Sequence, residues 1–102
     1  MPNRSDIETD VEKYLKKRVA EYGGLTEKHV CVGVRGAPDQ LVTWQIGYAQ
    51  SRTDRVETKA PLGRLKSWQT RYHAKLRNVG ISVWVCYTKD DVDSYILWAR
   101  TQ

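Results

Sequence analysis

The stretch Ile81-Ser82-Val83-Trp84-Val85-Cys86-Tyr87 limits the fold most. Its β-branched and aromatic residues suit a pleated, covered surface. It is strand-length, far short of the ~20 apolar residues that span a bilayer. Before it, Leu65, Trp68, Tyr72, Leu76 and Val79 fall at helical spacing and Gly80 supplies a C-cap. After it, Val92, Tyr95, Ile96 and Ala99 repeat the helical period over 90–100. A hydrophobic strand between two amphipathic helices calls for a sheet with helices packed on it, and the strand is expected at the sheet's centre.

The rest of the chain fills in that layout. Ser5-Asp6-Ile7-Glu8 has capping-box spacing, and Ile7, Val11, Tyr14, Leu15 and Val19 form one helical face over 6–22, closed by Gly23-Gly24. Val30, Val32 and Val34 alternate, which predicts a first strand over 29–34. A second strand is expected over 40–46. A polar turn over 47–53 follows, then a third strand over 54–59, stopped by Pro61 and Gly63. The order is α-β-β-β-α-β-α: a meander, a crossover helix and one more strand, hence an α/β fold with a mixed central sheet flanked by helices. The 102 residues fit one domain, 1–102, with a modest core that a partner subunit would enlarge.

The net charge of +5 is unevenly placed. Residues 1–50 carry equal numbers of acids and bases, whereas 51–80 carry eight bases against Asp54 and Glu57 alone. A localised positive surface attracts a polyanion, and nucleic acid is the usual one. A solvated basic helix face accounts for the charge equally well. No apolar run is membrane-length and the first residues lack a secretory h-region, so an intracellular protein without membrane contact is expected. Cys31 and Cys86 are too few for a disulfide framework. His29, Cys31, His73 and Cys86 lack the paired spacing of a zinc site and read as core thiols and surface histidines.

One constellation carries chemistry. Asp39 follows the Gly36-Ala37-Pro38 turn into the second strand. Glu57 and Lys59, two apart in the third, point to one face. A hairpin joining the two strands brings Asp39 alongside Glu57. Converging carboxylates repel unless a cation lies between them, and hard oxygen ligands suit Mg²⁺. A lysine beside such an ion can hold water and offset charge developing on phosphorus. Pro38-Asp39 with Glu57-Thr58-Lys59 resembles the PD-(D/E)xK nuclease pattern. Glu8, Gly23-Gly24, Lys28, Gly36-Ala37-Pro38-Asp39, Glu57-Thr58-Lys59-Ala60-Pro61, Leu65 and Gln69 stand in the order of the VRR-NUC family. Over roughly residues 6–97 the chain resembles its stand-alone, phage-type members.

That resemblance implies a restriction-endonuclease-like αβββαβ core and a Mg²⁺- or Mn²⁺-dependent endonuclease. Asp39, Glu57 and the Thr58 carbonyl would be metal ligands, with Glu8 reaching in from the first helix. Lys59 would be the catalytic lysine and Gln69 would face the site. Lys28, Arg35, Arg64, Lys66 and Arg71 are the candidate DNA contacts. Phage-type members imply branched DNA such as four-way (Holliday) junctions, a homodimer, and the cytoplasm of a bacterial host. Each residue has a plainer reading. Glu8 can fold back on Ser5 as a capping residue, Asp39 can shape a turn, Lys59 can pair with Glu57 at the surface, and Gln69 can be an exposed helix residue. The rival functions are a less selective flap, fork or duplex nuclease, a catalytically silent DNA-binding module, and a small dimerising protein.

Overall fold

The computed structural model of the protein describes residues 4–30 and 36–102. Its elements run α1 (Arg4–Glu21), β1 (Leu25–Lys28), β2 (Gln40–Gly47), β3 (Gln50–Thr58), α2 (Ser67–Asn78), β4 (Val83–Cys86) and α3 (Lys89–Arg100). The sheet order is β1-β2-β3-β4. The first three strands are antiparallel neighbours, and β4 joins β3 in parallel after the α2 crossover. The expected α/β layout, meander and crossover are therefore present. No helix among the described residues is long and apolar enough to cross a membrane.

Strand register sorts the side chains onto two faces. Val42 and Trp44 of β2, Asp54, Val56 and Thr58 of β3, and Trp84 and Cys86 of β4 share one face. Against it pack Val11, Leu15 and Val19 of α1 and Val92, Tyr95, Ile96 and Ala99 of α3. Burying each large aliphatic side chain contributes about 1.5–3 kcal/mol. An aromatic cluster of Trp44, Trp84, Tyr95 and Trp98 joins α3 to the sheet. The opposite face carries Arg55 and Glu57 of β3 and Val83 and Val85 of β4. α2 turns its buried His73 and Leu76 inward.

Five local expectations are corrected. β4 lies at the sheet edge rather than its centre; its apolar run reflects Trp84 and Cys86 on the α3 face and Val83 and Val85 on the other. The first strand is Leu25–Lys28. Of the predicted 29–34 stretch, His29 and Val30 are outside any strand and 31–35 lies outside the described residues. The predicted polar turn over 47–53 shrinks to Tyr48-Ala49 between Gly47 and Gln50, with Ala49 at φ 55°, so β3 begins before Asp54. α2 starts at Ser67, not Leu65. α1 already includes Arg4, so Ser5 is inside the helix and the capping reading of Glu8 loses its N-cap.

Candidate active site

The β2–β3 register places Gln40 opposite Val56. One step further, Asp39 meets the end of β3. There the Thr58 backbone N–H donates to Asp39 Oδ1 at 3.3 Å, and Thr58 Oγ1 donates to Asp39 Oδ2 at 3.4 Å. The paired ladder itself ends at Gln40 and Val56, and Pro38 lies in the turn just before Asp39. A strand residue points its N–H and C=O to the same side, so the Thr58 carbonyl also faces β2. Pro38 has no N–H to occupy it. Pro38 is buried, as is the Thr58 side chain. The short turn thus sets the Asp39 carboxylate at the end of β3, close enough to Glu57 for the two charges to interact.

Glu57 is 5% exposed. Burial, then the charge of Asp39, pushes its carboxyl up to about 8, with Lys59 pulling the other way. Asp39 is also raised, mainly by burial and further by Glu12 and Glu8, against the Thr58 N–H. The pair resists carrying two charges, and a divalent cation would relieve both burial and repulsion. Among the described residues, no group of three His, Cys, Asp or Glu side chains gathers closely enough to hold a metal. Two carboxylates plus a carbonyl, all oxygen donors, fit an ion such as Mg²⁺ that keeps several waters.

Gln69 ties α2 to this centre. Its Nε2 donates to Glu57 Oε1 at 3.4 Å while its Oε1 accepts the Lys66 backbone N–H at 2.8 Å. The exposed-helix reading of Gln69 is therefore replaced by a bridging one. Glu8 is half-buried and its charge reaches both acids. Lys59, half-buried, follows Thr58 with its backbone N–H bonded to Cys86 O at 2.9 Å. Lys28, Arg64, Lys66 and Arg71 are exposed, and among the described residues no ion pair engages them. Arg35 lies outside the described residues. Of the histidine and cysteine set, Cys86 is buried in the core with its thiol pushed up to about 12 by burial, and Cys31 lies outside the described residues. His73 is buried rather than at the surface.

Glu12 was not singled out from sequence, and Gly36 was named there only as part of the turn into Asp39 and of the family pattern. Glu12 accepts from the buried Gln40 Nε2 at 2.9 Å, next to Asp39, and its charge acts on Asp39. Its spacing of four from Glu8 was the available signal. Gly36, at φ 91°, lies so close to α2 that a Cβ there would stand 2.6 Å from the Trp68 carbonyl oxygen. No side chain but hydrogen fits, and the turn carrying Asp39 rests directly on the helix carrying Gln69. Arg52, expected in a loop, instead grips Asp54 through Nε and Nη2 at 3.0 and 2.9 Å.

No family model matches the chain. It is 37% identical over 83 residues to "Putative nuclease p44" of Acyrthosiphon pisum secondary endosymbiont phage 1, covering 81% of this chain and 85% of that one. It is also similar to a solved structure described as a VRR_NUC domain, with a TM-score of 0.77 and 34% identity over 87% of this chain and 92% of the other. More than a third of positions shared with the phage protein across most of both lengths, on a fold held in common with a VRR_NUC domain, make this chain a member of the VRR-NUC nuclease family.

Proposed function

We propose that the protein is a Mg²⁺- or Mn²⁺-dependent DNA endonuclease selective for branched substrates such as four-way junctions. The observation that carries the reading is the convergence of Asp39 and Glu57. Asp39, half-buried just before β2, and Glu57, buried in β3, oppose each other's charge beside the Thr58 backbone. Asp39, Glu57 and the Thr58 carbonyl would hold the cation, with Glu8 behind them. When bound, the ion supplies positive charge to phosphate oxygens and acidity to water. Lys59 orients the attacking water and offsets charge building on phosphorus. Water attacks in line, the P–O3′ bond breaks, and a 5′-phosphate and a 3′-hydroxyl are left. Gln69 fixes the Glu57 carboxylate, and Lys28, Arg64, Lys66 and Arg71 grip phosphates on either side.

A four-way junction has two-fold symmetry, and two matched cuts need two sites, which a homodimer supplies. Exposed Leu25, Ile46 and Tyr48 near the β2–β3 hairpin favour a second copy there. The experiment is incubation with a labelled junction and a matched duplex, with Mg²⁺, with Mn²⁺ or with chelator, alongside sedimentation for mass. Metal-dependent cuts on the junction alone support the reading. Cuts on every substrate indicate a less selective nuclease, and tight binding without product indicates a binding module. A monomer that cuts the junction would remove the dimer from the reading.

A further inference from the structure

His73 is fully buried in α2, one turn past Gln69, yet neither ring nitrogen has a hydrogen-bond partner. A buried imidazole carries at least one N–H and normally finds it an acceptor. An apolar side chain of similar size would fill the place without that loss, so packing does not explain a histidine here. Burial, then the charge of Arg77, lowers the His73 pKa, and the Gly36 backbone, near enough to act as a hydrogen-bond partner, works against them. Gly36 opens the turn that ends in Asp39, and the turn is already pressed onto the backbone of Trp68 and Gln69. The contact with α2 blocks motion toward the helix. No hydrogen bond of full geometry from either His73 nitrogen limits motion away from it.

We propose that His73 is a positioning residue: its ring N–H takes hold of the Gly36 carbonyl and so fixes where Asp39 stands relative to Glu57. Hydrogen bonds around a reaction centre are often long before the ligands are in place and tighten afterwards. A carboxylate displaced by a fraction of an ångström loses its share of the site, because such constellations tolerate little misplacement. This inference rests on the metal-site reading of Asp39 and Glu57, and its test separates the two.

The test compares H73L, H73Q and H73F with the unaltered chain. Three quantities are read: thermal midpoint, Mn²⁺ half-saturation without DNA, and single-turnover rate and KM on a labelled junction. H73L is expected to melt at or above the unaltered chain, since it removes unpaired buried nitrogens. Its Mn²⁺ half-saturation should rise about tenfold and its rate fall about ten- to a hundredfold, with KM for DNA unchanged. H73Q, which keeps a donor, should recover most of both. H73F, which restores ring shape but no donor, should not. Recovery by H73F, or a lower midpoint in H73L with normal Mn²⁺ binding, overturns the proposal. An unaltered chain that binds Mn²⁺ with H73L weakened, but cleaves no DNA, defeats the nuclease reading and leaves the positioning role standing.

Discussion

Pro38 lies one residue before Asp39, whose carboxylate meets the Thr58 backbone, and has no N–H to offer the Thr58 carbonyl. Asp39 Oδ1 meanwhile takes the Thr58 N–H at 3.3 Å. In P38A a new N–H can bond the Thr58 carbonyl and withdraw an oxygen from the cation. Mn²⁺ half-saturation, followed by calorimetry on DNA-free protein, should rise about tenfold. Thermal stability should change little, because the new bond offsets the added backbone freedom. Unchanged Mn²⁺ affinity would show that this carbonyl is no ligand.

Asp39→Asn and Lys59→Ala remove different parts of the reaction. The first keeps the shape of the side chain but takes away a negative ligand; the second removes the group that orients water. Each should lower cleavage by about a thousandfold or more, in keeping with the loss of one electrostatic element, while gel-shift affinity for the junction stays within about threefold. Asp39→Asn should also relieve the repulsion on Glu57, so its chelated form should be no less stable than the parent. Near-normal turnover in either variant would displace the site.

Legibility in the sequence follows from how local each determinant is. α1 and α3 were readable because Val11, Leu15 and Val19, and Val92, Tyr95, Ile96 and Ala99, repeat at the helical period and face one core. β1 was not, because Leu25-Thr26-Glu27-Lys28 is a mostly exposed edge strand whose pairing with Gln40–Thr43 holds it, while the valines at 30, 32 and 34 give the stronger alternation. The edge position of β4 was hidden because a strand covered on both faces reads alike at centre and edge. Asp39, Glu57 and Lys59 were legible through spacing. Gly36 was legible as part of the turn into Asp39, but its packing on α2, and the places of Glu12 and His73, depend on how helices meet the turn at 36–39, a long-range relation that no short pattern encodes.

The basic residues around α2 make a prediction about salt. Lys66 and Arg71 are exposed, and among the described residues no ion pair holds them. If each neutralises one phosphate, K66A and R71A should each weaken binding to junctions of any sequence. Each should also reduce the slope of log affinity against log salt by about 1. Fluorescence anisotropy across a salt series measures both. A slope equal to the parent's would locate the DNA surface away from α2.

The raised Glu57 gives the chelated protein a pH signature. Its carboxyl sits near 4.5 when unfolded and is pushed up to about 8 when folded, by burial and by Asp39. Over that window the folded chain binds more protons than the unfolded one, so stability is fullest below the lower value and declines as pH rises through the upper one. In chelator, the thermal midpoint should fall from pH 5 to pH 8, and E57Q should flatten much of that fall. Excess Mn²⁺ should restore the midpoint at pH 8 and do little at pH 5, where the acid is protonated and cannot bind an ion. A chelated midpoint flat across the range would remove the strained acid pair from the account.

The grip of Arg52 on Asp54 is a structural matter rather than a DNA contact. Asp54 is fully buried, and Tyr95 donates to its Oδ2 at 2.6 Å while Trp44 Nε1 donates to the Tyr95 hydroxyl at 2.9 Å. Removing Arg52 leaves a buried carboxylate without its cation, a loss of about 3–5 kcal/mol. Removing only the Tyr95 hydroxyl strands one donor and one acceptor, about 1–3 kcal/mol. R52A should therefore lower the thermal midpoint by on the order of 15 °C and Y95F by about half as much. Both should leave the salt slope of DNA binding intact, measured well below the midpoint. A normal midpoint in R52A together with a reduced slope would move Arg52 from the core network to the DNA surface.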